Sequence, residues 1–233
     1  MRAINKLKAI IFDVDGTLAE TEEVHREAFN QAFIEFNLPY SWSKQLYKQL
    51  LNTTGGKERM KVYLENYLNK EADIELIAKI HKRKTSIYGE IISQGKIELR
   101  PGIANLINDA KKQGIRTAIA TTTSKENVER LSEACFNMPA EEVFEVIAAG
   151  DEVENKKPAP DVFKLALKRL KLQPQDCVAL EDSRNGLLSC IGAGIACVVS
   201  PGIYTRDANF DESNAIVTSF VEIDSVRRLD KIL

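Results

Sequence analysis

Two aspartates one residue apart, Asp13 and Asp15, close the apolar run Ala9-Ile10-Ile11-Phe12 and are followed at once by Gly16 and Thr17. Residues i and i+2 of a strand share a face, so as the chain turns at Gly16 both carboxylates can address one point. Two anions so placed repel, and one pKa rises unless a cation lies between them. Mg²⁺ suits that position, because it is a hard ion that takes one or two carboxylates together with the phosphate oxygens of a substrate. Taken alone, Asp-Val-Asp-Gly-Thr is equally good solvated-turn chemistry.

Three later segments add groups of the same kind. Ala120-Thr121-Thr122-Thr123-Ser124 offers hydroxyls and backbone N–H groups suited to a phosphate. Thr123 and Glu126 have capping-box spacing, which would explain Thr123 without requiring Thr121. In Asn155-Lys156-Lys157-Pro158-Ala159-Pro160 the prolines stiffen a loop that could fix a lysine, although a lone lysine pair is commonly solvated surface. Leu180-Glu181-Asp182-Ser183 repeats the carboxylate pair before a helix start, where Asp182 by itself reads as an N-cap. Together they describe phosphoryl transfer. Asp13 would attack phosphorus, Asp15 would protonate the leaving oxygen and then activate water, and Asp182 would complete a Mg²⁺ site with Asp13 and Asp15. Thr121 and Lys157, with Thr122 beside them, would hold the phosphoryl oxygens as charge spreads over them.

These groups must be brought together by the elements that carry them. After the first strand, Thr117–Thr121, Val143–Ala148, Cys177–Leu180, Ala196–Val199 and Ala215–Val217 are short, apolar and β-branched, and read as strands. They alternate with helical patterns over Ile103–Gln113, Glu126–Cys135, Asp161–Leu170 and Gly186–Ile191, which predicts an α/β fold with a parallel sheet covered on both faces. Ligands of such sheets sit beyond the carboxyl ends of the strands. From about residue 22 to 94 the spacing is helical throughout, with Val24, Ala28, Ala32 and Phe36 on one stripe and Ile77, Ile80, Ile87 and Ile91 on another. The expectation is a Rossmann-like core of residues 1–19 and 98–233 with an inserted all-helical cap of residues 20–97, hinged near Ala19–Thr21 and Glu98–Pro101.

Composition excludes several classes. The 233 residues include 32 basic and 34 acidic side chains, too even a balance for a field that holds nucleic acid or an anionic membrane. No run is long and apolar enough to span a membrane, and no signal-peptide core opens the chain, so we expect a monomeric cytoplasmic protein, or one of the plastid stroma after removal of a transit peptide. Cys135, Cys177, Cys190 and Cys197 form no CxxC pair and sit in apolar segments, as buried free thiols do.

Asp13-Val14-Asp15-Gly16-Thr17, Thr121, Lys157-Pro158 and Glu181-Asp182, in that order at strand ends, closely resemble the four signature motifs of the haloacid dehalogenase-like hydrolases. The resemblance implies that Asp13 is phosphorylated, that Asp15 is the acid and base, and that Mg²⁺ is bound by Asp13, the Asp15 main-chain carbonyl and Asp182. The insertion looks like the helical cap of the subgroup with β-phosphoglucomutase and phosphoglycolate phosphatase. Within it, Thr54-Gly55-Gly56-Lys57-Glu58-Arg59, Ala148-Ala149-Gly150-Asp151 and Pro201-Gly202-Ile203-Tyr204-Thr205 are most similar to the CbbY-type sugar bisphosphatases, which act on xylulose 1,5-bisphosphate, an inhibitor of the Calvin-cycle enzyme Rubisco. The mutases share most of the core and carry a histidine matching His25 and a lysine matching Lys84.

The cap chooses the substrate. Lys57 and Arg59 could grip a second phosphate. Their turn is no nucleotide P-loop, because no glycine stands five residues before Gly56 and no Ser or Thr follows Lys57. In His81-Lys82-Arg83-Lys84 we expect Lys82 and Arg83 to be solvated, whereas the resemblance directs Lys84 toward the core. His25 could orient Asp15 or a sugar hydroxyl or lie on a helix surface. Glu20 at the hinge could serve cap closure, and Phe33, Tyr40, Trp42 and Tyr47 read as cap core. The expected function is Mg²⁺-dependent hydrolysis of a small sugar phosphate, with a phosphomutase, a phosphoglycolate phosphatase-like activity and a non-catalytic sugar-phosphate sensor as alternatives.

Overall fold

The computed structural model describes residues 7–95 and 97–233; residues 1–6 of the expected core segment and Lys96 of the expected cap segment lie outside the described residues. The chain forms two compact units, Met1–Glu20 with Glu98–Leu233, and Thr21–Ile97. In chain order, β1 (Ala9–Phe12) belongs to the first unit. The second holds α1 (Glu22–Glu35), α2 (Lys44–Leu50), α3 (Gly56–Val62), which continues as a π-helical turn over Tyr63–Tyr67, and α4 (Ile74–Ile92). The first unit then resumes with α5 (Ile103–Lys112), β2 (Arg116–Ala120), α6 (Lys125–Phe136), α7 (Ala140–Val143), β3 (Val146–Ala148), α8 (Asp161–Leu170), β4 (Cys177–Glu181), α9 (Arg184–Gly192), β5 (Ala196–Val199), β6 (Ala215–Ile216) and α10 (Val226–Asp230).

Among the described residues six strands form one parallel sheet in the order β3-β2-β1-β4-β5-β6. Every residue of β1 and β4 is buried, as it must be where helices cover both faces, and this is why these strands read as unbroken apolar runs. Ile10 aligns with Thr117 of β2 on one side and Val178 of β4 on the other, so the carboxyl ends of β1, β2 and β4 lie side by side. One sheet face is held by Ile11, Ala118, Ala120 and Ala179 packed with Phe163, Leu167 and Leu187. The strand expected from Val143 begins only at Val146, because Ala140, Glu141 and Glu142 favour a helical turn, closed by the Phe144 amide on the Ala140 carbonyl at 2.8 Å.

In the helical unit α1 and α4 pack together, and α4 is started by Asp73, whose carboxylate accepts from the Leu76 amide. The buried face of α1 is Val24, His25, Ala28, Phe29, Ala32 and Phe33, broader than the expected stripe, and Phe36 beyond its end is only half-buried. Trp42 is fully buried against Phe29 at 4.6 Å and Tyr63 at 5.4 Å between ring centroids. Phe33 and Tyr47 join this core and Tyr40 is half-buried at its edge. No helix among the described residues is long and apolar enough to cross a membrane.

Candidate active site

Asp13 leaves β1 with its amide on the Leu180 carbonyl, and its side chain is buried. Two residues on, Asp15 is half-buried at a turn closed by the Gly16 amide on the Ala19 carbonyl. Gly16 has φ +86°, the left-handed region, and a Cβ on it would overlap the Asp182 carboxylate, so both backbone and space demand glycine there.

Lys157, from the loop between β3 and α8, reaches under this turn. Its Nζ donates to Asp13 Oδ1 at 2.6 Å, Glu181 Oε1 at 2.6 Å and the Ala120 carbonyl at 2.9 Å, which uses all three donors of the ammonium. Burial works against the charge on Lys157, but the two carboxylates outweigh it and raise its pKa. Burial pushes Asp13 upward, with Lys157 pulling it down and Asp15 pushing it up. Burial, reinforced by Asp13 and opposed by Lys157, pushes Glu181 up to about 7. Glu181 is fully buried and its carboxylate occupies the space beside Gly186, where any Cβ would overlap it. Glu181, to which the sequence assigns no role beside Asp182, shares Lys157 with Asp13.

Asp182 is buried and is not the cap of α9. Ser183 takes that role, its hydroxyl accepting from the Gly186 amide at 3.1 Å, because the shorter side chain reaches its own helix while Asp182 packs toward the Gly16 turn. Thr205 Oγ1 donates to the Asp182 main-chain carbonyl at 2.7 Å and lies 3.2 Å from Asp182 Oδ2; a Cβ on Gly202 would stand 2.7 Å from the same oxygen.

Thr121 is buried at the end of β2, and its hydroxyl accepts from the Thr123 amide at 3.2 Å. The cap of α6 is Ser124, which accepts from the Asn127 amide, in place of the expected Thr123–Glu126 box; Thr123 instead accepts from Asn127 Nδ2 at 2.8 Å. Half-buried Thr122 has its carbonyl packed so closely on Gly150 that a side chain there is excluded.

Arg100 lies in the segment that the sequence marks only as a hinge. Arg100 Nη1 donates to the Gly16 carbonyl at 2.6 Å and the Ser200 carbonyl at 2.8 Å, and Nη2 to Ser200 Oγ at 2.8 Å and the Pro201 carbonyl at 3.3 Å. Glu20 stands 3.6 Å from Arg100 Nε and accepts from the Ile203 amide at 3.2 Å. Burial pulls the Arg100 pKa below its ordinary value, with Glu20 and Asp182 opposing.

Asp13, Glu181 and Asp182 each present an oxygen within 4.8 Å of the others. Three buried carboxylates against the one Lys157 ammonium, all hard oxygen donors, fit a divalent cation of the Mg²⁺ kind. The Asp15 side chain is not one of these three ligand groups.

The remaining expected site residues belong to the helical unit. Lys84 Nζ lies 2.6 Å from His25 Nδ1, both buried, with His25 stacked on Tyr88 at 4.2 Å. Lys57 is exposed. Arg59 is buried and faces inward, Nη1 donating to the Tyr47 hydroxyl at 2.9 Å and Nε to the Thr53 carbonyl at 3.3 Å, while Tyr47 donates to Glu22 at 2.8 Å. Arg83 is half-exposed and pairs with Glu35 and Glu90 on the surface.

Residues 10–200 match the family model of the haloacid dehalogenase-like hydrolases. The chain is 51% identical over 224 residues to the protein CbbY of Cereibacter sphaeroides, covering 96% of this chain and 97% of that protein. It is 54% identical over 209 residues to CbbY of Rhodobacter capsulatus, covering 90% and 92%. A crystal structure of a CbbY mutant from Rhodobacter sphaeroides in complex with xylulose-(1,5)bisphosphate superimposes with a TM-score of 0.91 at 49% identity, covering 96% of this chain and 99% of that one.

Proposed function

The chain belongs to the haloacid dehalogenase-like hydrolases as a phosphatase of the CbbY type, and we propose that it hydrolyses xylulose 1,5-bisphosphate in a Mg²⁺-dependent reaction through an aspartyl phosphate on Asp13. The observation that carries this reading is the buried ion pair of Asp13 with Lys157, in which a carboxylate at a strand end is held by a cation that Glu181 shares. Similarity to a protein solved with xylulose-(1,5)bisphosphate supports the substrate.

In the first step an Asp13 oxygen forms a bond to phosphorus as the bond from phosphorus to the sugar oxygen breaks, and Asp15 gives its proton to that oxygen. In the second, Asp15 takes a proton from water, the water oxygen attacks phosphorus, and the Asp13 carboxylate leaves with inorganic phosphate released. Lys157 opposes the burial that raises the Asp13 pKa and would face the charge that develops on the phosphoryl oxygens. Thr121 and Thr122 offer donors at the same strand end. Mg²⁺ held by Asp13, Asp182 and the Asp15 main chain would neutralise phosphoryl charge and align the phosphate for in-line attack.

Phosphate release measured with and without Mg²⁺, across xylulose 1,5-bisphosphate, ribulose 1,5-bisphosphate, fructose 1,6-bisphosphate, phosphoglycolate and β-glucose 1-phosphate, tests this. Preference for xylulose 1,5-bisphosphate is expected. The buried His25–Lys84 pair favours one competing reading, a mutase; conversion of glucose 1-phosphate to the 6-phosphate with little free phosphate would establish it.

A further inference from the structure

The Arg100 side chain joins the Gly16 turn to the Ser200–Pro201 peptide, and both ends of this brace lead to Asp182. On one side the Gly16 turn, directly after Asp15, packs against the Asp182 carboxylate. On the other, Ser200 and Pro201 run into Gly202, which packs on Asp182 Oδ2, and Thr205, whose hydroxyl bonds to the Asp182 main chain. The Arg100 side chain is 10% exposed, and its guanidinium lies 4.8 Å over the Phe220 ring and receives Glu20 at its Nε edge. The brace also crosses the chain's discontinuity, since the Arg100 amide donates to the Leu18 carbonyl at 2.7 Å.

We propose that Arg100 is a positioning residue for the divalent-cation site, holding the Asp15–Gly16 backbone and Asp182 at fixed separation by tying the Gly16 turn to the Ser200–Thr205 loop. This rests on the Mg²⁺ reading above and adds to it a determinant that lies outside the four strand-end clusters. A lysine cannot substitute, because the brace needs a planar fork that serves Gly16 and two successive carbonyls of the loop at once, and an ammonium presents a single point of donors. Thr205 completes the same support on the loop side.

The test is isothermal titration of Mg²⁺ into the EDTA-stripped full chain, unaltered and as Arg100→Lys and Thr205→Val, with folding checked by circular dichroism. Affinity for Mg²⁺ is expected to fall about 10-fold or more in Arg100→Lys, as for other groups that support metal ligands from behind, and by a smaller factor in Thr205→Val. In turnover the loss should appear as a raised Mg²⁺ requirement that high Mg²⁺ largely relieves. Should Arg100→Lys fail to fold, Thr205→Val decides by the same readout. Affinity equal to that of the unaltered chain in the folded variants overturns the brace alone; no Mg²⁺ binding by the unaltered chain overturns the metal reading together with it.

Discussion

Lys157 donates to Asp13 at 2.6 Å, so the proposed nucleophile and the cation that balances it are joined within the protein itself. Replacing Lys157 by Met leaves the buried Asp13 and Glu181 carboxylates without the ammonium they share. Breaking a buried pair in this way costs about 3–5 kcal/mol, and losing a donor aimed at developing charge lowers kcat by about 10²–10³-fold. Thermal melting and steady-state kinetics check both; kcat within a factor of ten of the parent would remove Lys157 from the chemistry.

The two aspartates should separate by leaving group. Asp13→Asn is expected to abolish phosphate release on every substrate. Asp15→Asn should lower turnover of sugar phosphates by about 10²–10⁴-fold. With p-nitrophenyl phosphate, whose phenolate leaves without a proton, the Asp15 variant should instead give a burst of nitrophenol and retain phosphate on the protein. Rapid quench reads this directly, and equal damage to both steps would argue against Asp15 as the base of the second.

Gly186→Ala should destabilise the protein by about 1–3 kcal/mol, since its Cβ would collide with the Glu181 carboxylate that Lys157 holds. Gly192→Ala, whose Cβ would stand 3.3 Å from the Pro160 ring, is the matched control and should move the melting temperature little. Chemical denaturation of the pair distinguishes a specific collision from a general intolerance of α9.

In the helical unit Lys57 and Arg59 should behave differently. Lys57 is exposed, and Lys57→Ala should raise KM for bisphosphates over monophosphates without changing stability. Arg59 is tied to Tyr47 and Thr53, so Arg59→Ala should lower the melting temperature as well. Identical behaviour of the two variants would mean that both act only on substrate.

Thiol reactivity follows from burial. Burial, with Glu98 adding, pushes Cys135 up to about 11, and burial, with Asp176 adding, pushes Cys177 up to about 12. The reactive thiolate is therefore scarce at pH 8 and grows as pH rises toward those values. Iodoacetamide should label the half-buried Cys135 slowly at pH 8, faster at pH 10, and leave buried Cys177, Cys190 and Cys197 untouched until the protein unfolds. Mass spectrometry of the labelled chain gives the answer.

β1, β2, β4 and β5 were legible because they bury both faces and so leave apolar runs; Asp161–Leu170 was legible to the residue. Caps were less so. Thr123 and Ser124, or Asp182 and Ser183, are all good caps by type, and one backbone torsion decides which of two neighbours folds back on the helix. Glu181 and Arg100 were hidden for a different reason. Their partners, Lys157 in one case and Gly16 and Ser200 in the other, are distant in sequence, and a long-range fork of hydrogen bonds leaves no periodic trace.

The sheet order carries a consequence for synthesis. Ile10 lies in register with Thr117 and Val178, so β1 acquires its second partner only when about three-quarters of the chain has been made. Thr21–Ile97, by contrast, is continuous and rests on the local pairing of α1 with α4. Non-local parallel pairing is slow, because loop closure precedes any reward. The nascent guest can thus be complete while its host still exposes Ala9–Phe12, an apolar strand with two open edges, and that interval is when a chaperone or a neighbouring chain would find the protein most adhesive.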